Sequence, residues 1–207
     1  MKKWLSLTLA IVMLLLMVSC GGGEKPEEKG GISRGTIDGD VYTNEVLGFT
    51  FTKPASWIFS TDEEIAALVN ISVESILGEN FKNALENNPT VYDMMVVDSL
   101  TGSNINLGYE NLAKSMATNI TIEQYIEVIK NQFESIPGMT VTFPETHDSV
   151  KLGDGQFTRV VCTTQMQGVP ATMTQLIYLQ KIEGYMASLI VTIPSGYTAE
   201  QIEAMFE

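Results

Sequence analysis

Apolar positions along the chain follow two spacings. Ile122, Tyr125, Ile126, Ile129, Phe133 and Ile136 fall on one stripe at helical spacing, and Pro137-Gly138 stops it. The run opens with Thr121-Ile122-Glu123-Gln124, a capping box, with Ile120 and Tyr125 placed as its hydrophobic staple. Thr61-Asp62-Glu63-Glu64 repeats that signal and predicts a helix to about residue 69. Its continuation carries Val73, Ile76, Leu77, Phe81, Ala84 and Leu85 before Asn87-Asn88-Pro89 ends it. Thr198-Ala199-Glu200-Gln201 predicts a last helix, stapled by Tyr197 and Ile202. Elsewhere the period is two. Tyr92, Met94 and Val96 alternate with Asp93, Met95 and Val97, residues 98–103 are rich in turn formers, and Ile105, Leu107 and Tyr109 alternate again as the return strand of a hairpin. Residues 139–194 read as a meander of strands at 141–152, 156–167, 171–181 and 185–193. Its turns are Gly153-Asp154-Gly155, Gly168-Val169-Pro170 and Ile182-Glu183-Gly184. The pattern predicts an α+β fold, an antiparallel sheet of about six to seven strands packed with helices.

The first twenty residues obey neither spacing. Lys2 and Lys3 precede an uncharged, mostly apolar run from residue 4 to 18 that ends at Ser19-Cys20. About fifteen residues is short for a hydrocarbon core that takes ~20 to cross, so the segment reads as a secretory signal. Leu16-Met17-Val18-Ser19-Cys20 resembles the lipobox of bacterial lipoproteins, with Met17 where leucine is usual. That resemblance implies removal of residues 1–19 and acylation of Cys20, which would hold the protein on the outer face of the cell membrane by two acyl chains. From Gly21 to Gly31 the chain has no apolar residue to bury, so residues 20–35 are expected to be the lipidated cysteine and a flexible tether reaching about 20–23 Å. Residues 36–207 then form one domain.

Charge narrows the partners. Twelve basic residues stand against 25 acidic ones, a formal net charge of -13, and loss of Lys2 and Lys3 takes the mature chain to -15. Such a surface argues against nucleic acid and against electrostatic docking on anionic lipid. With Cys20 acylated, Cys162 has no disulfide partner and sits in an alternating stretch, as a buried apolar side chain would.

Tyr42-Thr43-Asn44-Glu45-Val46-Leu47-Gly48-Phe49-Thr50-Phe51-Thr52-Lys53-Pro54-Ala55-Ser56-Trp57 is the most distinctive stretch. Phe49 and Phe51 share one face of a strand, Pro54 ends it, and Trp57 can turn back onto the sheet's edge. The pattern Y-x-N-x-x-x-G-F-x-F-x-x-P-x-x-W resembles the opening of PsbP/Mog1-like domains, and is especially similar to that of uncharacterised lipoproteins of Gram-positive bacteria. The resemblance implies a sandwich-like accessory or binding domain in which Tyr42, Asn44, Gly48, Phe49, Phe51, Pro54 and Trp57 are structural. It names no ligand.

Reactive side chains are few. His147 is the single histidine, so a zinc site, a Ser-His-Asp triad or a Cys162 thiolate would depend on it alone, and it reads as a solvated residue at a strand edge. Neither Gly21-Gly22-Gly23 nor Gly153-Asp154-Gly155 has the strand-to-helix context and lysine of a phosphate loop. Asp38-Gly39-Asp40 with Asn44 and Glu45 offers hard oxygen ligands but fails the register of a calcium loop at Gly39 and Tyr42. Glu63 and Glu64 suit a helix start, and Asn70-Ile71-Ser72 and Asn119-Ile120-Thr121 read as helix-start residues rather than glycosylation sites. Met94, Met95, Met166, Met173 and Met186 fall in strands as core filling. These residues point to a non-enzymatic domain, without metal or cofactor, that binds an envelope protein or a small ligand. Two other readings carry distinct structural requirements. A hydrolase of cell-wall glycan needs two carboxyl groups about 5–9.5 Å apart in an open cleft. An assembly factor for an envelope complex needs an exposed apolar patch of several hundred Å², on the order of what large interaction patches show.

Overall fold

The computed structural model describes residues 32–207 apart from 69–70, 78–79, 116, 144–146, 169–171 and 194–196. Cys20, the signal segment, the tether up to residue 31 and the sequon at Asn70 lie outside the described residues. β1 (Thr36–Asp38), β2 (Val41–Asn44) and β3 (Phe49–Thr52) make a small antiparallel sheet. The large sheet runs in the order β4 (Trp57–Phe59), β5 (Thr90–Asp98), β6 (Asn104–Asn111), β11 (Tyr185–Ile193), β10 (Thr172–Ile182), β9 (Gly155–Met166) and β7 (Met139–Thr142). β8 (Asp148–Leu152) pairs with β9 as well, and every pairing is antiparallel. Four helices complete the described residues: α1 (Asp62–Leu68), α2 (Asn80–Asn87), α3 (Ile122–Glu134) and α4 (Ala199–Glu203), with a 3-10 turn at Val73–Ile76. The fold is α+β and mostly antiparallel sheet.

The large sheet is buried on both faces, which is why β5, β6 and β11 read as near-continuous buried runs. Against one face lies the small sheet: Phe49 meets Phe157 of β9, with ring centroids 6.2 Å apart. Phe81 of α2 packs edge-on to Tyr109 on the same face. Against the other face lies α3, whose stripe of Tyr125, Ile126, Ile129 and Phe133 is buried as its spacing predicts. The Lys181 ammonium fastens the lead-in to α3 by donating to the carbonyls of Thr118 and Ile120. Both ends of the chain's described part close on the small sheet. The Glu207 N–H donates to the Thr50 carbonyl at 2.8 Å, and the Thr50 and Thr52 N–H groups donate to Glu207 and Met205. Phe206 is thereby seated between Phe49 and Phe51, 5.2 and 5.0 Å from their centroids.

Four expectations need correction. The helix expected from Thr61 to Asn88 is three pieces: the Ile71 N–H reaches back five residues to the Ala66 carbonyl, as at a helix close, and the next residues wind as the 3-10 turn. The strand expected at 141–152 is two strands, β7 and β8, laid in tandem along β9. Pro144 falls between them and has no N–H to give a ladder. The strands described number eleven in two sheets, because the opening segment forms its own sheet. Residues 32–35, assigned to the tether, pack on the domain: Ile32 is buried and Arg34 finds two carboxylates.

Candidate functional site

Alternation in β2 turns Tyr42 and Asn44 inward together. Facing them, the β5–β6 ladder slips between Tyr92 and Met94, and the residue left out of register is Asp93. Its carboxylate is 1% exposed. The Tyr42 hydroxyl donates to Oδ2 at 2.8 Å, the Asn44 amide at 3.0 Å, and the Gly35 N–H to both oxygens at 3.1 Å. Arg34 Nε stands 3.8 Å from Oδ1, while the same guanidinium donates to Asp62 and to the Ile76 carbonyl. Asn44 is fixed in turn: its Oδ1 accepts the Leu47 N–H, and its amide nitrogen lies 2.9 Å from the hydroxyls of Tyr42 and Tyr109. Loss of water around Asp93 outweighs the donors from Tyr42, Gly35 and Arg34, and its pKa is pushed up to about 6. Burial, and then the carboxylate itself, raises Tyr42 and Tyr109. A Cβ on Gly35 would fall onto the Tyr42 ring, so this close approach requires glycine. A carboxylate so enclosed by protein donors, which water does not reach, offers no open position to a substrate. It joins the N-terminal segment, β2 and β5.

The rest of the opening stretch builds the neighbouring core. Gly48, at φ +75°, presents its carbonyl to the N–H groups of Asp154 and Gly155. Gly155 is equally constrained, since a Cβ there would collide with the Leu47 carbonyl, and Gly153 faces the Glu207 carbonyl. Thus Gly153-Asp154-Gly155 is a docking turn for β3 and the C-terminal residues. The Pro54 carbonyl accepts the Trp57 N–H, which brings Trp57 onto the edge strand β4. Its indole is 1% exposed, lies edge-on to Tyr197 at 5.8 Å and donates to that hydroxyl at 3.3 Å. Phe49 and Phe51 share the face that meets Phe206.

The opposite face of the large sheet holds a second buried carboxyl, Glu110, to which the Tyr125 hydroxyl of α3 donates at 2.5 Å. Burial raises its pKa against the pull of Tyr125 and Ser115. The strand register puts Asn104, Thr192, Gln175 and Cys162 in one row across β6, β11, β10 and β9. The Gln175 amide donates to Thr192, and the Cys162 thiol lies 4.0 Å from the Gln175 carbonyl oxygen. Burial pushes the thiol up to about 12, so Cys162 stays protonated at neutral pH. His147 is half-buried near Glu123, and its Nδ1 has no hydrogen-bond partner among the described residues. The polar neighbour of Cys162 is therefore Gln175. Asp93 and Glu110 lie on opposite faces of one sheet and share no cleft.

The oxygen-rich loop does not converge either: Asp40 pairs with Lys53 at 2.6 Å, while Asn44 turns into the Asp93 network. Among the described residues no three His, Cys, Asp or Glu side chains gather to hold a metal ion. Asn119 is exposed just ahead of the Thr121 cap, and Met94, Met95, Met173 and Met186 are core. Arg159 bridges Asp148 and Glu203, both at 2.7 Å, binding α4 to the sheet. No helix among the described residues is long and apolar enough to cross a membrane. Cavities open at the surface where β7 meets the end of β9, of about 620 Å³, and beside α2, of about 340 Å³. Sequence reasoning missed Asp93 and Arg34. The available signal was a lone charge inside the apolar run 91–97 and a lone arginine just before the first strand.

No family model matches the chain, and no curated protein matches it. A crystal structure of a protein from Bacteroides thetaiotaomicron is similar over 86% of this chain at 12% identity, with a TM-score of 0.40. The chain spans about half, 48%, of that protein's length.

Proposed function

We propose that this chain is a lipoprotein held on the outer face of the cell membrane through acylated Cys20, whose folded part is a binding or accessory domain in a PsbP/Mog1-like sandwich. The observation that carries the non-enzymatic reading is how the interior charges are used. Asp93, Asp98 and Glu110 are the buried acidic residues of the described fold, and each is engaged with protein partners: Asp93 by Tyr42, Asn44 and Gly35, Asp98 by the Leu100 N–H and the Thr101 hydroxyl, and Glu110 by Tyr125. General acid–base work needs such a group to face a cleft with an open position for substrate. The reading therefore assigns the work to the surface. Cross-linking of the acylated protein in intact cells, followed by quantitative mass spectrometry, tests it. A partner enriched with wild type and lost when one acidic face is charge-reversed supports the binding role. Release of reducing ends from purified wall glycan by the protein would overturn it in favour of a hydrolase.

A further inference from the structure

Given the binding role proposed above, on which this rests, we infer that β7 is a docking edge where an extended segment of another protein adds as a further strand of the large sheet. β7 ends the strand order, and its outer side meets no strand among the described residues. The Gln167 N–H donates to the Gly138 carbonyl at 2.7 Å, so Gly138 faces β9. Alternation along the strand then turns Thr140 and Thr142 toward Gln165 and Thr163, and Met139 and Val141 away from them. The Met139 N–H is taken by the Ile136 carbonyl. Left facing outward are the Met139 carbonyl and both the N–H and the carbonyl of Val141. These are the hydrogen-bonding groups that only another extended backbone matches in spacing.

Exposed edges are normally guarded by charge, proline or brevity. β4 is three residues long, and β8 carries Asp148, tied to Arg159, and Lys151. Met139-Thr140-Val141-Thr142 is only one residue longer than β4, but it has neither charge nor proline and the cavity lies beside it. Beside its start lies the cavity of about 620 Å³, lined by Met139, Thr140, Gln165, Met166 and Gln167, all uncharged. Two thioethers adapt to a side chain of variable shape, and the amides can meet its polar end. Charge identifies the source of the strand. A second copy of this chain would bring the same excess of acidic over basic residues and be repelled at close range. The segment that fits is therefore foreign, uncharged where it pairs and flanked by basic residues, with one side chain entering the cavity.

The test uses the full acylated chain in detergent and a synthetic peptide of alternating Thr and Val with lysines at both ends. Binding should slow hydrogen exchange at the Val141 N–H about tenfold or more. N-methylation of the peptide amides that face β7 should weaken affinity by about tenfold or more, as the loss of even one well-made hydrogen bond can. N-methylation of the opposite peptide edge should leave it unchanged. Val141→Pro should weaken binding like the first methylated peptide, and Thr142→Lys, which keeps every backbone group, should weaken it should the proline variant not fold. Equal affinity of the two methylated peptides, or protection on another strand, would overturn the proposal, as would a dimer in sedimentation that Thr142→Lys dissolves. An in-cell partner that persists in Thr142→Lys would leave the binding role standing and remove β7 as its site. Failure of the peptide together with an empty cross-link would remove both.

Discussion

Asp93 is held by donors from three directions and still binds its proton more tightly than a free aspartate, because dehydration of the anion costs more than those donors return. The sign of the linkage follows. A carboxyl whose pKa is raised on folding, from the ordinary 3.8 to about 6, lends stability that is complete below the lower value and lost as pH rises through the upper. We expect urea stability to fall by ~2 kcal/mol between pH 4 and pH 6 from this group, with Glu110 acting in the same direction. In Asp93→Asn that share of the slope should vanish, while the variant is weaker overall because its NH₂ must face the donors of Gly35 and Tyr42. A slope unchanged by the substitution would mean that Asp93 is not the titrating group. Trp57 is a simpler case of packing plus one hydrogen bond to Tyr197. Trp57→Ala should cost ~3–5 kcal/mol, read as a lowered urea midpoint, and an unchanged midpoint would contradict its burial.

Elements with a cap written into them were legible, and those with a tertiary cause were not. At both Thr121/Gln124 and Thr198/Gln201 the two reciprocal bonds of the capping box are formed. Thr61 and Glu64 exchange theirs at 3.3 and 2.9 Å. Thr121→Ala should therefore cost about 1 kcal/mol in chemical denaturation, with most of it recovered in Thr121→Ser. The hairpin of β5 and β6 and the turn at Glu183-Gly184, with φ of 44° and 87°, were readable from alternation and turn residues. Alternation cannot show which partner a strand takes. Hence β7 and β8 read as one strand although both answer to β9, and β1 to β3 were not seen as a separate sheet. The same limit hid the Asp93 centre, because Tyr42 and Asn44 announce themselves locally while Asp93 is 51 residues beyond Tyr42. The cavity at β7 had no local signal at all, since half of its lining comes from the end of β9.

At the scale of the molecule, Ile32, Arg34 and Gly35 pack on the domain, so the tether expected after Cys20 could extend no further than residue 31. If Cys20 carries the acyl chains, Cys20→Ala should leave the urea midpoint unchanged and move the exported protein from the membrane pellet to the soluble fraction. Retention in the pellet would contradict the lipid anchor. The pairing of Thr50 and Thr52 with Met205 and Glu207 has a further consequence, one of timing. A strand made early in synthesis waits for partners made about 150 residues later, and contacts so distant in sequence form slowly. Until they arrive, Phe49 and Phe51 lack the ring of Phe206 between them, and the docking turn at Gly153 has no terminal carbonyl to close upon. The emerging chain thus cannot complete this part of its core until residues 205–207 are available to it.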